Sequence, residues 1–109
     1  MADPDDLPEP EKAAKEKPHY AGHRARLRQR FLAGPDALPD YELLELVLQL
    51  AIPQRDVKPL AKDLITRFGS LADVLSAEPL DLMSCDGVKE TAAAALKVVR
   101  EAAIRLARA

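Results

Sequence analysis

Residues 70–99 run SLADVLSAEPLDLMSCDGVKETAAAALKVV. Ser70 can cap a short helix carrying Leu71, Val74 and Leu75, and Pro79 suits the first turn of another that ends near Ser84. Asp86-Gly87 is a tight-turn dipeptide. Beyond it, Val88, Ala92, Ala95, Leu96, Val99, Ala103 and Leu106 recur at helical spacing, which predicts a long helix from Lys89 to about Arg108. Lys97, Arg100, Glu101, Arg105 and Arg108 fall mostly off that stripe. A helix, a hairpin turn and a second helix can lay turn amides on a nucleic-acid phosphate. The same arrangement can also be no more than an economical way to pack two helices, and this stretch alone leaves both readings open.

Upstream, ELLELVLQLAIPQRDVKPLAKDLI sets beside EPLDLMSCDGVKETAAAALKVV as a near-repeat. Each copy is a helix, a short polar turn and a helix, with a valine after the turn. The first helix of the upstream copy, about Tyr41 to Ala51, is apolar almost all round. Glu42, Glu45 and Gln49 are expected to form its narrow solvent stripe, so that its other sides are covered as a central helix or a dimer seam. Pro53 breaks it, Asp56 is placed to cap the next helix, and Val57, Leu60, Ala61, Leu64, Ile65 and Phe68 follow at helical spacing before Gly69. A degenerate hairpin over 40–69 and a second over 78–108, joined by a helix at 70–77, make a tandem helix-hairpin-helix core.

Ahead of this core, Tyr20, Leu27 and Phe31 share a helical face with His23, and Gly34-Pro35 ends that first helix. Arg24, Arg26, Arg28 and Arg30 occupy the rest of its circumference. Residues 1–18 hold four prolines among charges and almost nothing apolar to bury, so an acidic, proline-rich disordered tail is expected there. No segment alternates with period two. The fold class is therefore all-α: a compact bundle of five to six helices within 19–109.

The net charge of −2 hides segregation, with five acids and no base in residues 1–11 but seven bases against one acid in 12–33. Cys85 is the lone cysteine, no run is long and apolar enough to span a membrane, and the first residues lack the apolar core of a signal peptide. A cytoplasmic protein without membrane contact is expected. No nucleophile stands with a partner base and no carboxylate pair suggests a cleft, so no catalytic residue is assigned. His19 and His23, four apart, lack a third ligand nearby; no metal and no cofactor is expected, and a capping or packing role is preferred.

The chemistry of binding concentrates at Asp86, Gly87, Val88 and Lys89, where the last helix's first amides could hold a phosphate oxygen. Hairpins that grip DNA usually carry glycine on both sides of the apolar turn residue, whereas here Lys89 takes the second place. Lysine brings charge to a phosphate and also adds bulk, while Asp86 and Glu90 suit the helix dipole without any ligand. The first hairpin offers Arg55 and Lys58, and Arg24, Arg26, Arg28 and Arg30 form a second basic patch whose alternative is a solvated face.

HYAGHRARLRQRFL, LPDYELLELVLQLAIPQRDVKPLAKDLITRFGSLADVL and GVKETAAAALKVVREAAIRL resemble the N-terminal domain of the bacterial RadC proteins, the UPF0758 family, over roughly residues 18 to 107. RFGSLADVLSA with its hairpin also resembles, at the level of fold, the SAM-like tandem module of excision-repair nucleases such as UvrC. The first resemblance implies an association with DNA repair. It also implies a following JAB/MPN domain whose His-x-His and downstream Asp resemble a zinc hydrolase site; that motif is absent from these 109 residues. The expected function is a non-catalytic module with weak, sequence-independent DNA binding. The alternative is a docking module whose partner is its own C-terminal domain, a second copy in a homodimer or another protein.

Overall fold

The structure, a computed structural model, describes residues 20–109; the expected disordered segment 1–18 and His19 lie outside the described residues. It contains α1 (Tyr20–Ala33), a 3-10 turn (Pro35–Ala37), α2 (Asp40–Ala51), α3 (Lys58–Phe68), α4 (Leu71–Ser76), α5 (Pro79–Met83) and α6 (Glu90–Arg108). Six α-helices and no strand are found among the described residues, and no described helix is long and apolar enough to cross a membrane. The chain divides into two compact units, one ending at Pro39 and one running from Asp40 to Ala109.

Helix boundaries in the second unit follow local chemistry. Gly69 closes α3 at a φ of 113°, a conformation that a side chain would strain, and its N–H donates to the Ile65 carbonyl. Ser70 then caps α4 by accepting the Asp73 N–H at 3.0 Å. Pro79 opens α5, where its missing N–H costs nothing. Asp56 stands one residue further out than expected: Val57 is the N-cap of α3, and the Asp56 carboxylate accepts the Lys58 N–H at 3.1 Å.

α2 packs on α3, α4 and α6, and α6 also covers α4 and α5, so α2 holds a central place in this unit, one of the two placements its composition left open. The core joins Leu44 and Leu48 of α2 to Val57, Leu60, Ala61 and Leu64, to Val74 and Leu82, and to Val88, Ala92, Ala93 and Leu96. All are aliphatic, in keeping with a chain poor in aromatic residues. The two valines that follow the two turns, Val57 and Val88, are 1% and 3% exposed, so the near-repeat is a repeat in packing as well. Lys97 joins this unit in a way its place off the stripe did not suggest: its ammonium donates to the carbonyls of Leu75 (2.8 Å) and Ala77 (2.9 Å), where the chain leaves α4. Three further expectations fail.

Glu42, Glu45 and Gln49 do not form a solvent stripe; they are 8%, 1% and 6% exposed, while Leu50 is 81% exposed. Each of the three residues has an interaction partner, and α2 is packed against α3, α4 and α6. Polarity alone therefore misidentified the outward face of a helix packed on several sides. Leu106, expected in the buried stripe of α6, is 78% exposed, and Ala103 is exposed too. At 1.5 Å per residue α6 runs for about 28 Å and α3 for about 16 Å, while α4 and α5 are shorter still, so the distal turns of α6 outrun the helices that could cover them.

In the first unit Leu27 is fully buried and Phe31 half-buried, as their shared face requires. The arginines do not form one basic face. Arg24, three residues before Leu27, shares its buried side and is 9% exposed; Arg26 is half-buried, and only Arg28 and Arg30 are exposed. Residues two apart advance 200° around a helix, so four alternate arginines cannot point one way.

Candidate nucleic-acid interface

The second hairpin is built on a single special backbone position. Val88 donates its N–H to the Cys85 carbonyl at 3.1 Å, closing a β-turn over Asp86 and Gly87. Gly87 has a φ of 94° in the third place, the position that glycine takes in a type II turn. Val88 plugs into the core and anchors the loop. Lys89 follows as an exposed, extended N-cap with φ −112° and ψ −172°, giving α6 no side-chain hydrogen bond. The first amides of α6 thus stand at the positive end of a helix dipole without a capping side chain.

The first hairpin differs at the same point. α3 starts directly after Val57, the Asp56 carboxylate takes the Lys58 amide, and Pro59 has no N–H to give. Its helix terminus is filled by its own sequence, so Arg55 is what this turn contributes.

Tertiary packing brings the two turns together. A Cβ built on Gly87 would lie 2.5 Å from Arg55 Nη1 and 3.1 Å from its Cζ, so the guanidinium rests directly against the glycine of the other hairpin. Gly87 is therefore required twice, by its positive φ and by the close approach of Arg55. Beside this contact lies an open cleft of about 350 Å³, lined by residues 51–55 on one side and by Gly87, Lys89, Thr91 and Ala92 on the other. Ala51, Ile52 and Pro53 present apolar surface, while Gln54, Arg55, Lys89 and Thr91 supply polar groups. Among the described residues no three His, Cys, Asp or Glu side chains are grouped to hold a metal ion.

Of the residues singled out from the sequence, Arg55, Gly87 and Lys89 meet at the cleft. Val88 is inside the core, and Asp86 and Lys58 do not line the cleft. Arg24, Arg26, Arg28 and Arg30 belong to the first unit. The sequence reading missed Ile52, Gln54, Thr91 and Ala92 as cleft residues; nothing in their local spacing announces a wall whose other side is some 40 residues away. Pro53 was legible only as a helix break.

The UPF0758 N-terminal family model matches residues 21–94, a span that contains α2 through the first turns of α6 and hence both hairpins. A UPF0758 protein of Rhodobacter capsulatus is 54% identical over 83 residues, covering 75% of this chain and 39% of its own length. The chain thus spans well under half the length of that relative. No solved structure matches. With a family match that runs from α1 through both hairpins into α6 and a relative 54% identical over 83 residues, the chain belongs to the UPF0758 family, through its N-terminal domain.

Proposed function

We propose that this domain is a non-catalytic cytoplasmic module that holds DNA weakly and without regard to sequence, through the paired hairpin turns. One observation carries the reading: the guanidinium of Arg55 and the uncapped N-terminus of α6 with Lys89 converge on one opening. Backbone amides at a helix start, a guanidinium and an ammonium are the groups that grip phosphate. Their modest number fits a weak contact, with Gly87 seating the Arg55 guanidinium and Lys89 substituting charge for the glycine of tighter hairpins. Within the longer family proteins, this module would bring DNA to the JAB/MPN domain implied by the RadC resemblance, with a role in repair.

The test is a titration of labelled duplex at several salt concentrations. If two to four phosphates are neutralised, log affinity falls against log salt with a slope of about −2 to −4. Arg55→Gln or Lys89→Gln should each weaken binding to all sequences and flatten the slope by about one unit or less. Absence of binding at low salt, where phosphate attraction is least screened, would sink the reading.

A second reading, a docking module, is supported by α6. Val98 and Leu106 are 65% and 78% exposed, and the chain matches only 39% of its relative's length. On that reading the distal turns of α6 pack against the remainder of the longer proteins, and the hairpins serve only to fold the core.

A further inference from the structure

The cleft has more than a phosphate needs. A continuous backbone is held by amides and cations on an open surface, and the paired turns supply these at their rim. Ala51, Ile52 and Pro53 also line the cleft with apolar surface, and this does nothing for a phosphate. At about 350 Å³ the volume is at the small end of ligand sites, which run from roughly 300 to 1,000 Å³. An apolar concavity beside convergent polar groups is the general form of a small-molecule site, and its polar edge here is cationic.

We propose that the cleft between the two hairpin turns is a pocket for one unpaired nucleotide. The sugar and base lie against Ala51, Ile52 and Pro53, and the phosphate is held by Arg55, Lys89 and Thr91. The proposal rests on the DNA-binding reading and gives it a preference: an end, gap or overhang, where one nucleotide can leave the stack, over uninterrupted duplex. A paired base cannot reach these apolar side chains without first being unstacked and unpaired, at a cost that a small apolar patch does not recover. None of the lining residues is aromatic, so the base gains apolar contact without a ring stack, and preference among bases should be slight. Gln54 at the edge can meet any base with either a donor or an acceptor.

The experiment uses the 109-residue protein and follows backbone amide shifts during titration with thymidine 5′-monophosphate, inorganic phosphate and thymidine in parallel. The expected result is saturating shifts at Ile52, Gln54, Gly87 and Thr91, with the nucleotide bound about fivefold more tightly than phosphate, or about 1 kcal/mol. Arg55→Gln should weaken the nucleotide and phosphate together. A blunt duplex and the same duplex with a short single-stranded overhang are compared separately, and the overhang should bind about fivefold tighter. If nucleotide and phosphate bind alike and both duplexes bind alike, the pocket is overturned while backbone binding stands. Should neither duplex bind yet the nucleotide still saturate the cleft amides, the DNA module fails and the pocket remains. Shifts spread over the surface with no saturation would overturn it as well.

Discussion

The two hairpins are alike in plan and differ by one residue. In the first, Val57 is itself the N-cap, and the buried residues of α3 follow it at three, four and seven places: Leu60, Ala61 and Leu64. In the second, Lys89 stands between Val88 and the helix, and the buried residues follow the valine at four, five and eight: Ala92, Ala93 and Leu96. The backbone shows the same offset, since the Val57 carbonyl accepts from Ala61 and the Lys89 carbonyl, not that of Val88, accepts from Ala93. A core needs only that the buried face return in register, and a single inserted residue before the helix satisfies it. What the insertion adds is an extended, exposed cationic residue at the mouth of a helix. The first copy became a filled terminus carrying a guanidinium; the second became an open terminus built on a positive-φ glycine.

The comparison holds that both second helices bury equivalent faces, and this is where the largest effect is expected. Leu64 and Leu96 are both fully buried, and replacing either by alanine should cost about 2–5 kcal/mol in urea unfolding, the range for buried leucine truncation. A cost for Leu96→Ala below about 0.5 kcal/mol, typical of surface positions, would break the equivalence.

The next effect isolates what only the second hairpin contains. Gly87→Ala should destabilise by about 1–3 kcal/mol, combining the strain of a positive φ with displacement of the Arg55 guanidinium. Removing the Arg55 side chain in the same molecule should recover the contact part and leave the backbone part. Gly34→Ala is the control: φ is −165° and the nearest atom to an added Cβ is Ala37 Cβ at 4.0 Å, so a change within about 0.5 kcal/mol is expected. Equal losses at Gly34 and Gly87 would mean that the turn geometry is not the reason for the glycine.

The smallest effect concerns the length by which α6 exceeds α3. Leu106→Ala should change stability by less than about 0.5 kcal/mol, because the side chain is 78% exposed. A loss near that of Leu96→Ala would show that the distal turns are covered in solution, which would favour the docking reading of this domain.

Much of this molecule is written in local chemistry. Helix starts and stops at Ser70, Gly69 and Pro79 follow from cap hydrogen bonds, a positive φ and a missing amide, all properties of residues and their immediate neighbours. The doubled turn-valine pattern likewise read through to two buried valines, since a shared spacing of apolar residues needs no knowledge of what lies opposite. The resemblance carried by the same stretches placed the chain in its family.

The sequence by itself determined the helices, their order and most of the aliphatic core, because helical periodicity and capping act within a few residues of each other. Only the tertiary structure decided which polar side chains went inside. Glu45 and Leu50 exchanged the environments that polarity assigns them, since burial depends on which neighbours surround a helix and where they end. It also decided that Arg55 meets Gly87, that Lys97 serves the end of α4, and that Ile52 faces Thr91 across a cleft. Those pairings join residues 20 to 40 apart in the chain, and no spacing rule along one helix can specify a contact made by two.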